Sequence, residues 1–197
     1  MKRLVSLGLS IGVLAGVFTW FAFTVTSFGS WASPLVVWVG FAAWACFYAL
    51  GGGMNALRVS GLSLASGVFW GWAIAAVWLK LSPSSMVVLG ICVAVGAFMM
   101  CVQAALPPLA FIPSAFVGAA AYFGFAGGIT RVGSVAGEVI PAGFTSTGFW
   151  SVLLSVIGGT VFAFLSEKGA DVIEKALGGT PPVVEPAPVQ GRTAEVA

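Results

Sequence analysis

Residues 61–79, GLSLASGVFWGWAIAAVWL, decide the reading of the fold, because the beat at their centre, Ser63-x-x-x-Gly67-Val68-Phe69, recurs along the chain. Gly16-Val17-Phe18 stands 51 positions before Gly67-Val68-Phe69, with Gly12 in the place of Ser63, and Ser114-x-x-x-Gly118 stands 51 positions after it. All three copies lie in long apolar runs. Small residues at i and i+4 on an apolar helix let a second backbone come close, which is how helices associate where lipid removes the usual hydrophobic drive. Gly12, Gly16, Gly67 and Gly118 are therefore the expected helix-contact positions. The intervening segments keep the interval, pairing Val36-Val37 with Val87-Val88, Ala43 with Ala94 and Phe47 with Phe98. The pattern predicts a tandem repeat of helical hairpins.

Composition sets the class. Aliphatic, aromatic and cysteine residues make up 59% of the chain, 7% is charged, and histidine is absent. A soluble core of this length does not need so little charge, so the chain reads as an all-α polytopic membrane protein whose first partner is the lipid bilayer. The net charge of +2 gathers at the ends and in loops, with no arginine-rich or aromatic-basic run, which excludes a nucleic-acid partner. Cys46, Cys92 and Cys101 are odd in number, form no C-x-x-C and fall in apolar segments. Small thiols packed between helices are expected there, and neither a metal nor a cofactor. No histidine can serve a serine or cysteine, there is no G-x-S-x-G, and Gly51-Gly52-Gly53 is not followed by Lys-Ser/Thr, so no enzyme is expected.

A span needs roughly 20 apolar residues, and the sequence predicts six, at about residues 4–26, 34–52, 61–80, 85–106, 107–125 and 147–165. Taken in pairs they form three parallel hairpins of about 51 residues, 4–52, 61–106 and 107–165, in one transmembrane domain over 1–165. The first run is longer than the roughly 7–15 residues of a signal-peptide core and reads as a retained helix. Lys2, Arg3, Arg58, Lys168, Lys175 and Arg192 fall on one side, against Lys80 and Arg131 on the other. Both termini are then cytoplasmic. Gly51-Gly52-Gly53-Met54-Asn55 and the Gln103–Pro108 run make tight turns, or re-entrant selectivity elements. Residues 124–146 form the longest loop, where Arg131 and Glu138 can pair on a short surface helix or in a cap over an external mouth. Residues 166–179 extend the last helix into the cytoplasm, and the proline-rich 180–197 is a disordered tail.

Three parallel hairpins can close round a central path, which favours a passive conduit over a carrier rocking about a midplane site. No ionisable residue lies well inside a predicted span, which disfavours proton coupling. The polar groups within or bordering the spans are neutral: Ser10, Thr19, Thr24, Asn55, Ser63, Ser66, Gln103, Ser114, Ser155 and Thr160. Neutral hydrogen-bonding groups between aromatic constrictions suit a small uncharged solute. The candidate pore-lining and selectivity residues are Phe18, Phe47, Asn55, Ser63, Phe69, Phe98, Gln103 and Ser114. Each has a plainer alternative, since serine in a membrane helix commonly bonds its own backbone and phenylalanine commonly packs or meets lipid. Most tryptophans suit an interfacial belt, while Trp44 and Trp70 lie deeper.

Gly16-Val17-Phe18-Thr19-Trp20, Phe41-Ala42-Ala43-Trp44-Ala45-Cys46-Phe47 leading into Gly51-Gly52-Gly53, Ser66-Gly67-Val68-Phe69-Trp70, and Phe111-Ile112-Pro113-Ser114-Ala115-Phe116-Val117-Gly118 together resemble the YcdZ-like family of bacterial inner-membrane proteins (DUF1097, a domain of unknown function). The resemblance covers about residues 4–165 and implies an integral inner-membrane protein with no settled activity. The hairpin plan also resembles in architecture the acid-activated urea and amide channels, whose six-helix protomers assemble as rings. That likeness implies urea or a similar amide as the solute and a homo-oligomer as the assembly. The expectation is a passive channel or facilitator for a small neutral solute. A non-transporting membrane scaffold is the second reading and an ion-coupled secondary transporter the third.

Overall fold

The structure is a computed structural model and describes residues 2–25, 35–133 and 146–178. The loop expected at 124–146 is helical in its first part, since the helix that begins at Ile112 continues to Gly133; Glu138, the expected partner of Arg131, with the rest of that segment and its expected cap, and the 180–197 tail, fall outside the described residues. Six α-helices follow in order: α1 Lys2–Val25, α2 Val37–Ala49, α3 Gly53–Leu81, α4 Met86–Val102, α5 Ile112–Gly133 and α6 Ser146–Ala176. Four stretches are long and apolar enough to cross a membrane: Arg3–Thr24, Gly53–Leu81, Met86–Ala105 and Gly148–Ala176. The expected span at 34–52 comes out shorter: at about 1.5 Å per residue, the 13 residues of α2 reach only about 20 Å. The span expected at 107–125 starts later, at Ile112, and its helix continues to Gly133.

The breaks have local causes. Gly51, Gly52 and Gly53 take φ of +83°, +79° and +78°, a left-handed path that a side chain resists, so α2 stops and α3 starts at once, ahead of the expected residue 61. Pro107 and Pro108 have no amide hydrogen to donate, and the chain passes through two 3₁₀ turns, Gln103–Ala105 and Pro107–Leu109, before α5 begins.

Contacts fix the directions. The central pair, α3 and α6, is antiparallel, since Gly53 meets Glu167, Gly61 meets Thr160 and Trp72 meets Phe149. Parallel to α3 lies α5: a Cβ on Gly67 would enter the Ala115 carbonyl and one on Gly118 the Leu64 carbonyl, while Gly71 faces Ala119 and Tyr122. Parallel to α6 lies α2, with Val36 on Ser155, Gly40 against Gly159 and Tyr48 on Ser166. On the outside, α1 runs antiparallel to α6 through Arg3 on Glu174, Ser10 on Ser166 and Phe18 on Phe162. The other outer helix, α4, runs antiparallel to α3 through Gln103 on Ser66, Gly96 on Ile74 and Ser85 on Trp78.

These contacts group the helices in threes. Helices α1–α3 correspond to α4–α6: an outer helix, a second helix and a long central one. The approach of α5 to Gly67 is matched by the approach of α2 to Gly159, and Gly96 on Ile74 by Ser10 on Ser166. Gly67 to Gly159 and Ile74 to Ser166 are each 92 positions apart. Helices α2 and α5 start alike as well: the Val36 carbonyl accepts from the amides of Val39 and Gly40 (3.1 Å each), and the Phe111 carbonyl from those of Ser114 and Ala115 (3.1 and 3.4 Å). Three is odd, so the halves run in opposite directions and the axis relating them lies across the helices.

The expected grouping into three hairpins is therefore replaced. Its interval of 51 is real for one contact only, the reciprocal packing of Gly67 and Gly118, whereas Gly12 and Gly16 of α1 have nothing within 4 Å. Val39, Ala43 and Cys46 of α2, Leu64, Val68 and Ala75 of α3, Ala121 and Tyr122 of α5, and Val152 and Val156 of α6 form the main core. The two halves meet there.

Candidate functional site at the junction of the two halves

Around this apolar core the buried polar groups are hydroxyls. Ser60 donates to the Ala56 carbonyl (2.6 Å), Ser155 to that of Ser151 (2.6 Å) and Thr160 to that of Val156 (2.7 Å). Back-bonding of this kind satisfies the proton and leaves the oxygen free to accept from elsewhere. Ser155 uses that capacity, accepting the Val36 amide at 2.8 Å. The side chain of Val36 cannot cap the helix it leads, so a hydroxyl from α6 supplies what the end of α2 lacks.

Ser63 holds the same position in the other half, 92 positions before Ser155. It is 0% exposed, and its hydroxyl has no hydrogen-bond partner among the described residues. The Ser114 hydroxyl, equally buried, lies beside the Cys46 thiol. An unsatisfied hydroxyl in an apolar setting costs about 1–3 kcal/mol, so the difference between Ser63 and Ser155 is a real asymmetry between the halves.

A second polar cluster closes the end of the bundle where Arg3 lies. The Ser166 hydroxyl donates to the Ala163 carbonyl (2.7 Å), so Tyr48 must donate to it at 2.7 Å, and Trp44 Nε1 donates at 3.1 Å. Ser10 donates to the Ser166 carbonyl at 2.8 Å. The next residue, Glu167, is 5% exposed and accepts the Gly53 amide on Oε2 at 2.8 Å. Its Oε1 would lie 2.8 Å from a Cβ on Gly52, so glycine is required both for the turn and for this approach. Two consecutive residues of α6 thus bind α1, α2 and α3. Among the described residues no cation pairs with Glu167; the start of α3 supplies the compensating partial positive charge. One to two turns on, Arg3 binds Asp171 (2.6 Å) and Glu174 (3.2 Å).

The residues expected to line a path do not converge. Phe18 and Phe47 are buried in a second apolar cluster with Trp44, Ala56 and Ala163. Their counterparts under the interval of 51, Phe69 and Phe98, are 47% and 63% exposed on the outer surface. Asn55 is exposed. Gln103 is consumed in a contact between α3 and the end of α4, donating to Ser66 and accepting from Trp70 Nε1, both at 2.9 Å. Ser63 and Ser114 alone reach the junction. Of the helix-contact glycines, Gly67 and Gly118 pack and Gly12 and Gly16 stay open. Ser155 stood in the sequence inventory without being singled out, and a signal for it was present: Ser155-x-x-x-Gly159 repeats Ser63-x-x-x-Gly67. Ser166 and Glu167 had no comparable signal. Cys46, Cys92 and Cys101 are free, and no group of potential metal ligands occurs among the described residues.

Residues 8–171 match the family model described as "Protein of unknown function (DUF1097)". The inner membrane protein YcdZ of Escherichia coli (strain K12) is 32% identical over 124 residues, 62% of this chain and 71% of that protein. The inner membrane protein YcdZ of Salmonella typhimurium (strain LT2) is likewise 32% identical over 124 residues, 62% of this chain and 72% of that protein. No solved structure matches.

Proposed function

The chain belongs to the DUF1097 family, and from that premise we propose that it is an inner-membrane facilitator carrying a small uncharged solute passively between its two halves. The observation that supports this most is the composition of the junction. Two equivalent, oppositely directed halves meet over buried hydroxyls, and the buried carboxylates among the described residues, Glu167 and Glu174, both lie at the Arg3 end. Inverted halves are the architecture of alternating access, while ion coupling needs ionisable groups at depth. Urea or a similar amide is the leading solute. The Arg3 end carries the lysine and arginine excess and is the cytoplasmic one, with six crossings in all.

For the assembly we propose a homo-oligomer, and α1 supports it. Gly8, Gly12 and Gly16 have nothing within 4 Å, and the pairing of α3 with α5 displays what such a face packs against, a parallel small-residue helix. A second copy in the same membrane presents one. Stopped-flow light scattering on proteoliposomes facing gradients of urea, formamide, glycerol and ammonium tests the proposal. One neutral solute should move faster than through bare lipid, unaffected by membrane potential or an uncoupler. Folded protein that passes none of them, or uptake that an uncoupler abolishes, refutes it.

A further inference from the structure

We propose that Ser63 and Ser155 are the two contacts of a reciprocal switch: the structure holds the Ser155 contact made and the Ser63 contact open, and the alternate state of the protein holds the reverse. The inference rests on the facilitator reading for its purpose, but its geometry stands on the two halves. Val36 and Phe111 lead α2 and α5 in equivalent positions, each with its carbonyl accepting from the third and fourth residues on. The Val36 amide is capped by Ser155 at 2.8 Å. The same interval that carries Gly159 back to Gly67 carries Ser155 back to Ser63, and Gly67, one turn on from Ser63, packs on Ala115, one turn on from Phe111, yet the Ser63 hydroxyl is buried and without a partner among the described residues.

Two copies of one contact, one formed and one broken, are what inverted halves give when each half adopts in turn the conformation that the other has just left. If Ser63 captures the Phe111 amide as Ser155 releases that of Val36, one of the two helix heads is capped in either state. The two end states are then close in energy, which a passive carrier requires. No bond changes other than these hydrogen bonds.

Hydrogen exchange of the full chain in lipid nanodiscs, followed on peptides covering Val36 and Phe111, reads the switch without any solute. Ser155→Ala should expose the Val36 amide and drive Ser63 onto Phe111, so that exchange rises about fivefold at Val36 and falls about fivefold at Phe111, the worth of one net hydrogen bond. Ser63→Ala should slow Val36 further, and Ser155→Thr, which keeps the hydroxyl, should behave as wild type. Faster exchange at Val36 with no protection gained at Phe111 makes Ser155 an ordinary cap and overturns the switch. Should Ser155→Ala not fold, Ser63→Ala decides alone: an unchanged rate at Val36 counts against the proposal. Flux is measured separately, so a wild type that passes no solute but shows the exchange pattern removes the facilitator reading and leaves the switch standing.

Discussion

At the scale of single residues, the contact that holds most together is the one least visible in the sequence. The Ser166 hydroxyl accepts hydrogen bonds from Trp44 and Tyr48 while donating its own to the Ala163 carbonyl. Ser166→Ala strips two largely buried donors of their acceptor, and we expect a loss of about 1–3 kcal/mol, read as a lower midpoint of thermal unfolding in detergent. Glu167→Gln keeps an acceptor for the Gly53 amide and should cost less than Glu167→Ala, which removes it; equal losses would mean that the bond to Gly53 contributes nothing. Trp44 was legible as a deep tryptophan, but its partner lies 122 positions away, and an isolated serine before a glutamate carries no mark of that role. The hydroxyl inventory was readable in the same way: types and approximate depth came from the sequence, while the choice between back-bonding and a free oxygen depends on neighbours brought in from other helices.

At the scale of helices, the small-residue beat was legible and its pairing was not. The same three-residue gap marks Gly12 with Gly16, Ser63 with Gly67 and Ser114 with Gly118, yet the packed pair is Gly67 and Gly118, because α1 borders α6 through other residues. The difference predicts different phenotypes. Gly67→Leu forces a side chain into the Ala115 carbonyl, with an expected cost of about 1–3 kcal/mol or more and loss of folded protein on size-exclusion chromatography. Gly12→Leu and Gly16→Leu add bulk where nothing is near, so the protomer should fold with unchanged thermal stability while cross-linked oligomers disappear. Oligomers that survive both substitutions would place the self-contact on another helix. The helix breaks show where length arguments fail: positive φ at Gly51–Gly53 and the Pro107-Pro108 pair interrupt helices inside runs whose hydropathy continues, so a window of average apolarity reads through both breaks.

For the molecule as a whole, class was readable from composition, since so little charge and so much apolar surface leave few alternatives, whereas grouping was not, because hairpins and inverted triplets share one list of apolar segments. Direction distinguishes them. Arg3 at the start of α1 binds Asp171 and Glu174 near the end of α6, so the two outermost described segments lie at one end of the bundle. The chain between them must cross an even number of times. Either four or six crossings satisfy this; we propose six, since α2 runs parallel to α6 and α5 parallel to α3, the directions that strict alternation over six requires. Topology reporters fused before Met1 and after Gly178 should therefore report the same, cytoplasmic side. One inserted in the turn between α3 and α4, at Pro83-Ser84, should report the opposite side, as should one between α1 and α2, while one at Leu106 should return to the cytoplasm. If the insertions after α1 and at Leu106 give the same answer, α2 through α4 do not alternate as three crossings, and the two halves are no longer equivalent in the membrane.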